Sequence, residues 1–393
     1  MREEENAVDR NQIRYEKGTP ADRRAIAAFG SDVFSRSGDR TDFPTLLPKL
    51  YGEEVDLSEC HYLARSGGAL VGVVGAFPLE ANIMGRPFKV CGIGTVCTHP
   101  EYRGKGIMRT LLRSALADMR GNGAAFSVLG GRRQRYEHFG YEPCGTMIEF
   151  TATEENLRPF FDGARGLSIV PPERGDPEDV RRAHELQRGR PLSVTRPPEL
   201  FLTTCRSWNS TPLLLRRGGE FCGYLVRSDD KKVLQELELS DGESLPEALA
   251  AYLAWSGQRE VRFGLPPYER EKIAALEAFC ESFRIGPAYS FLLFDWEGVL
   301  RQLFKLKAAY SPLADGRFVL EVRGCGRFLL EVRSQKASVE KTSAPADVSL
   351  GRLDAMRFLF SPLSAFYSDA PGLGAFAASW FPLPLYWPHL DGI

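Results

Sequence analysis

The sequence predicts an α+β / α/β chain in three parts: two mixed sheets flanked by helices, in tandem, and then a small α+β domain. Three observations predict it. The 393 residues are 43% hydrophobic, and at about 100–200 residues per domain that supplies two or three separate cores. Residues 1–152 alternate between the period-2 pattern of strands and the 3.6 period of helices, in the order β-α-β-β-β-α-β-α-β. Residues 153–290 repeat that order without its motifs, and residues 291–393 follow a different one.

The elements follow in chain order. Residues 12–18 read as a short opening strand, and Thr19 before Pro20 reads as the cap and first residue of a helix to about Phe34. His61–Arg65 and Ala69–Leu79 are apolar runs joined by Ser66-Gly67-Gly68, a hairpin signal. After a turn at Asn82–Pro87, Phe88–Thr98 reads as a strand. Ile107, Leu111, Leu112, Ala115 and Met119 then form one helical stripe that stops at Gly121-Asn122-Gly123. Ala124–Leu129 returns to a strand, Gly131–Phe139 is short and polar, and Gly145–Ala152 is β in character.

In the second part, a strand near Leu167 precedes a helix at Pro177–Gln187 and a hairpin at Leu213–Val226 turning on Gly218-Gly219. Strand Val233–Leu239, helix Leu245–Trp255, strand Glu260–Gly264 and helix Arg270–Phe283 complete it. The third part has a helix at Gly298–Ala309 and strands Arg317–Arg323 and Arg327–Arg333 paired across Gly324-Cys325-Gly326. A polar strand at Ala337–Lys341 follows, then Asp347-Val348-Ser349 capping a helix at Leu350–Phe360. The last residues, Trp380 to Ile393, are aromatic and proline-rich. Left free, they would expose several large apolar side chains, so the tail is expected to dock into the body.

Composition narrows the function. Fifty lysines and arginines balance 51 carboxylates for a net charge of -1, so no global field marks a nucleic-acid or anionic-membrane binder. The charged N-terminus has no apolar core of the signal-peptide kind, and no apolar run approaches the ~20 residues of a membrane span. A cytoplasmic protein is expected. Eight cysteines with no C-x-x-C pair are too few for a disulfide scaffold. Five histidines lack H-x-x-x-H spacing, so no metal is expected.

Chemistry concentrates in Val96-Cys97-Thr98-His99-Pro100-Glu101-Tyr102-Arg103-Gly104-Lys105-Gly106-Ile107-Met108-Arg109. A strand runs into a glycine-rich turn and then a helix N-terminus, so unsatisfied N–H groups and the positive end of a helix dipole converge on one spot. That arrangement receives a pyrophosphate, and Arg103, Lys105 and Arg109 add positive charge. Neither G-x-x-x-x-G-K-[ST] nor G-x-G-x-x-G is present. In the second part the corresponding Ser240-Asp241-Gly242-Glu243-Ser244 has two carboxylates and no basic residue, which would repel such a ligand.

Val-x-x-x-Pro-x-x-Arg-x-x-Gly between a strand and an amphipathic helix resembles the acetyl-CoA motif of the GNAT acyltransferases. Arg103 and Gly106 fit its R-x-x-G-x-[GA] pattern, and Met108 replaces the usual final Gly or Ala. Tyr136-Glu137-His138-Phe139-Gly140-Tyr141 is similar to a segment of the enhanced intracellular survival (Eis) acetyltransferases. That branch has a catalytic GNAT domain, a degenerate GNAT-like domain without cofactor, and a sterol-carrier-like domain, which correspond to 1–152, 153–290 and 291–393.

The resemblance implies an acetyl-CoA-dependent N-acetyltransferase, with acetyl-CoA as co-substrate and direct transfer to a primary amine of a small cationic molecule in a ternary complex. It implies pantetheine contacts along Val96, Cys97 and Thr98, a pyrophosphate turn at Arg103, Gly104, Lys105, Gly106, Ile107, Met108 and Arg109, and a further contact at Gly131 and Arg132, where the usual serine-glutamate pair is missing. It also implies Tyr136 as general acid and the C-terminal carboxylate of Ile393 as general base, although the branch usually ends on an aromatic residue. A homo-oligomer is implied, with a hexamer as one form. A phenol of pKa about 10 can protonate a thiolate whose conjugate acid lies near 8–9. Direct transfer needs no nucleophile, so Cys97 reads as a buried strand residue, and Phe139 and Tyr141 read as packing. Asp42, Glu53, Glu54 and Asp56 precede the core strands and read first as a solvated loop. Two other functions fit the residues: a lysine acetyltransferase acting on a protein, and a non-catalytic protein that binds acetyl-CoA or a hydrophobic ligand.

Overall fold

The computed structural model describes residues 13–36, 40–367, 373 and 375–393; the charged stretch 1–12, expected to hold no signal sequence, lies outside them. Three sheets organise the described residues. The first contains β1 (Arg14–Lys17), β2 (His61–Ser66), β3 (Ala69–Ile83), β4 (Arg86–Thr98), β5 (Phe126–Leu129) and β6 (Glu142–Cys144). Strands β1 to β5 lie side by side in sequence order, and only the β4–β5 step is parallel. The connection that allows it is helix α4 (Ile107–Gly121), whose predicted stripe is buried throughout and joined by Leu116.

Between β5 and β6 sits a strand from far along the chain, Tyr289–Leu293, antiparallel to both. The exchange is reciprocal. Strand β7 (Met147–Thr153) leaves the first sheet and lies antiparallel between Glu260–Leu265 and Ser282–Gly286 of the second. Sheet membership therefore does not follow the divisions expected at 152/153 and 290/291. Both exchanged strands are short, and nothing local tells such a strand which sheet will accept it. The second sheet continues through Val233–Leu239, Glu220–Ser228 and Ser210–Arg217 to Leu167–Val170.

Several elements differ from expectation. The helix expected over Arg270–Phe283 stops at Glu277, and Ser282–Gly286 is an edge strand with Phe283 and Ile285 exposed. Their spacing with Phe279 imitates a helical stripe. Asp347 does not cap the last helix; its carboxylate accepts from the Val319 N–H (2.8 Å), Val348–Leu350 pairs in parallel with Gly316–Val322, and the helix starts at Arg352.

Helix α1 (Arg23–Ser35) follows a single 3-10 turn at Pro20–Asp22, and the Thr19 N–H and hydroxyl both donate to the Asp22 carboxylate. Two one-turn helices then follow, α2 (Phe43–Leu46) and α3 (Pro48–Tyr51); four residues are too few to show a period. They carry Phe43, Leu50 and Tyr51 under α1, onto the sheet face opposite α4. The third sheet, with helices Trp296–Tyr310 and Arg352–Phe360, shares one core with β5, the inserted strand and the C-terminal tail. In that tail Leu383, Leu385, Trp387 and Leu390 are buried.

Candidate active site

The β4–β5 ladder runs only from Val90↔Phe126 to Ile93↔Leu129, while β4 continues to Thr98. Beyond Ile93 the two strands splay, and the β5 side of β4 has no ladder partner among the described residues. On its other side β4 carries a bulge. Gly94 faces Gly75 and Cys97 faces Val73, so Thr95 and Val96 stand opposite Val74 alone. Thr95 has a φ of 51°, a conformation a β-branched residue adopts only when its surroundings force it. Bulges of this kind re-aim backbone groups and cluster beside active sites.

A groove of about 990 Å³ starts at this splay and follows Val96, Cys97 and Thr98 to the turn before α4. Gly104 (φ 80°) and Gly106 (φ 78°) sit there in the left-handed region that glycine alone enters without cost, and Gly106 caps α4. A Cβ on either would project into open space, so the backbone N–H groups of the helix start remain approachable. Arg103, Arg109, Arg113, Arg132 and Arg135 line the groove, and among the described residues no carboxylate does. Ile107 and Met108 also border it. Lys105 instead holds its ammonium 4.5 Å from the Tyr102 ring centre, and Gly131 packs on Tyr136 so closely that a Cβ would lie 2.4 Å from the ring. The Cys97 thiol is fully buried, and burial drives its pKa up, so no thiolate forms there.

Tyr136 ends α5 (Arg133–Tyr136), the short helix formed by part of the polar stretch after β5. Its ring is 6% exposed and meets Tyr141 edge-on at 6.4 Å. Burial pushes the phenol above its ordinary range, and the Arg135 side chain, charged and hydrogen-bonded to it, offsets part of the rise. Tyr141 is a structural residue: its hydroxyl pairs with Ser127 Oγ (2.7 Å), which donates to the Cys91 carbonyl (2.7 Å) across the β4–β5 step.

The chain terminus reaches β4 from the opposite sheet face, and neither Ile393 nor Tyr136 is among the residues that line the groove. Ile393 is buried among α1, α3, β3 and β4. A Cβ on Gly92 or on Gly94 would lie 2.3 Å from its side chain, and its carboxyl carbon is 3.2 Å from where the Gly94 Cβ would be. Two glycines on β4 thus make the slot that brings the terminal carboxylate against the last residue before the bulge. The Tyr289 phenol, on the inserted strand, is hydrogen-bonded to the Ile393 backbone.

Three residues at the site carried no sequence signal. The Tyr51 hydroxyl bonds both His61 Nε2 (3.0 Å) and the Thr95 hydroxyl, and His61 Nδ1 faces the Leu57 and Ser58 carbonyls at 3.0 and 3.2 Å. The Nδ1 proton is thereby fixed, Nε2 accepts from Tyr51, and the strained Thr95 is clamped. Residues 44 apart in the chain meet here, which no spacing rule could anticipate. His61 is not a base, since burial lowers its pKa to about 4.

The stability contributed by a neutral His61 is complete above its unfolded pKa near 6.5 and is lost as pH falls from there toward 4. Between pH 7.5 and 4.5 this one residue should remove on the order of 2 kcal/mol. His61→Gln should remove that part of the acid sensitivity, read as a smaller drop in urea midpoint between the two pH values.

Beside Tyr51 a second cavity, of about 630 Å³, opens between α1 and residues 42–53. Ala27, Ala28 and Pro44 wall it, and Arg23, Arg24, Asp42 and Glu53 supply charges of both signs. Arg23 is already engaged by the Gly52 and Glu53 carbonyls. Asp42 and Glu53 thus border a cavity, whereas Asp56 turns back to bond Ser58.

The acetyltransferase (GNAT) domain family matches residues 14–144, which run from β1 to β6 and hold the splay, the bulge and the glycine turn. Residues 14–144 thus form an acetyltransferase domain of the GNAT class, whose domains carry out acyl transfer from acetyl-CoA. No curated protein matches it in sequence. Among solved structures it is similar to a GCN5-related N-acetyltransferase from Kribbella flavida, at 21% identity and TM-score 0.65, over 97% of this chain and 100% of that one. A probable N-acyltransferase from Enterococcus faecalis V583 aligns at 17% identity and TM-score 0.66, over 96% and 98%. Eis1 from Mycobacterium abscessus aligns at 18% identity and TM-score 0.58, over 88% of each chain. At such identities the likeness is one of fold, the tandem GNAT-like fold.

The groove fits acetyl-CoA on its own chemistry, with arginines and open N–H groups for phosphates at one end and an unpaired strand edge at the other. Among the described residues no group of three or more His, Cys, Asp or Glu is placed to hold a metal ion, and no helix is long and apolar enough to cross a membrane.

Proposed function

We propose that this protein transfers the acetyl group of acetyl-CoA directly to a primary amine of a small cationic molecule, with the Ile393 carboxylate as general base and Tyr136 as general acid. The observation that carries the proposal is the chain terminus seated against Gly94 at the strand splay. In the reaction a C–N bond forms and the C–S bond breaks. The amine proton passes to the Ile393 carboxylate, and the Tyr136 proton passes to the departing sulfur. The unpaired edge at Gly94–Thr98 offers backbone N–H groups to the thioester oxygen, and most of the acceleration comes from positioning. Acetyl-CoA supplies an activated acetyl group. Val96–Thr98 would hold its pantetheine arm, the Gly104–Arg109 turn with Arg103 its pyrophosphate, and Arg132 a further phosphate.

The cavity beside Tyr51 supports a small acceptor, since its volume lies in the range of small-molecule pockets; Asp42 and Glu53 are the carboxylates in its wall that would pair with a protonated amine, beside Arg24 and an Arg23 already engaged by the Gly52 and Glu53 carbonyls. We propose further that 153–290, apart from Leu192–Val194, which pairs with β3, and the start of the exchanged strand, is a scaffold without cofactor, and that the third sheet and its helices form a sterol-carrier-like domain. The protein is proposed to be cytoplasmic and a homo-oligomer.

The deciding experiment incubates the pure protein with acetyl-CoA and a panel including spermine, kanamycin A and a lysine peptide, and follows thiol release. Release with spermine or kanamycin A but not with the peptide is the expected result. Release with the peptide alone would make the protein a lysine acetyltransferase. No release with any amine, together with a melting temperature raised by acetyl-CoA, would point to a binding protein.

A further inference from the structure

Lys49, in α3, is 8% exposed and donates to two carbonyls of the chain terminus, Leu390 at 2.5 Å and Gly392 at 2.6 Å. We propose that Lys49 is a positioning residue that seats the C-terminal carboxylate in the active site. The proposal rests on the reading of Ile393 as base.

Other side-chain hydrogen bonds hold the same tail, and they locate what Lys49 adds. Trp208 Nε1 donates to the Gly392 carbonyl (3.1 Å), and Arg196 grips Asp391 through two bonds of 2.9 and 2.8 Å. Both anchors come from the 153–290 region. Lys49 brings a charged side chain to the tail from the first domain, where Gly92 and Gly94 also pack on Ile393, and it lies two residues before Tyr51, whose hydroxyl clamps the bulge at Thr95. Through Lys49 and Tyr51, one four-residue helix fixes both the terminus and the strand it abuts.

A lysine is costly here. Burial lowers its pKa to about 7, with Asp391 and Glu236 pulling it up and Arg196 pushing it down; Cys205 also faces it, and so does His389, whose own pKa is lowered by burial and by Lys49. A group whose charged form the fold disfavours works against stability wherever it stays protonated. An apolar residue would spare that cost, so placing the tail accounts for the lysine better than holding the core together does.

The test uses the full chain with Lys49→Met. Carboxypeptidase Y should remove Ile393 about tenfold faster than from the wild type, and kcat with kanamycin A should fall about tenfold or more, with KM for acetyl-CoA unchanged, because small misplacements of a reacting group cost that much. The melting temperature should stay level or rise. Wild-type trimming and kcat would overturn the proposal, and so would a large loss of melting temperature with a normal kcat. If the methionine variant does not fold, Lys49→Gln decides by the same trimming assay. Deleting Ile393 separates the two readings: an unchanged kcat removes the base assignment, while the trimming rates still decide whether Lys49 seats the tail.

Discussion

Tyr136→Phe is expected to lower kcat about 100-fold while leaving acetyl-CoA affinity within twofold of the wild type, the lower end of what a general acid contributes. Phenylalanine keeps the ring that packs on Gly131 and Tyr141, so only the hydroxyl is lost. Burial raises the phenol's pKa, so it stays protonated through the neutral range and remains a weaker acid than the thiol it forms. Proton transfer from this weaker acid to a free thiolate is uphill, so it must accompany the breaking of the C–S bond rather than follow it. Single-turnover thiol release and equilibrium binding separate the two quantities. Lost binding, or unchanged release, would take Tyr136 out of the reaction.

Arg196→Met should destabilise the protein by about 3–5 kcal/mol, the usual result of stripping the partner from buried charges. Arg196 lies between Glu236 and Asp391, all three at 3% side-chain exposure or less, and donates twice to each carboxylate. Burial alone would raise the Glu236 pKa, but Arg196 and Arg190 outweigh it and hold the carboxyl below its ordinary range. Without the guanidinium, two carboxylates are left facing each other in the interior. Replacing Arg196, Glu236 and Asp391 together by apolar residues of similar volume should restore most of the stability but not the tail's position, so kcat should stay low. Urea midpoints for the single and triple variants, set beside their kcat values, test both halves.

Local chemistry was legible in the sequence and long-range assembly was not. The α4 stripe, the glycine turn and the apolar tail each show themselves within about fifteen residues, because periodicity, left-handed glycines and exposed aromatic mass are local properties. Tyr51, His61 and Thr95 show nothing of the kind. Each is unremarkable alone and acquires a role only when α3, β2 and β4 are stacked. Arg196 and Asp391 are 195 residues apart, and the partner of each is fixed by tertiary packing alone. Ser282–Gly286 was misread because its two apolar residues share a spacing with the helix before it, and only the sheet edge waiting beside β7 makes it a strand.

The exchanged strands also set an order of events during synthesis. Tyr289–Leu293 fills the place between β5 and β6, so the first sheet stays open until residue 293 has emerged from the ribosome, long after its other strands are made. The slot beside Gly92 and Gly94 is bordered in part by Tyr289, and its occupant, Ile393, is made later still. A nascent chain therefore carries its complete glycine turn well before the first sheet can close beside it.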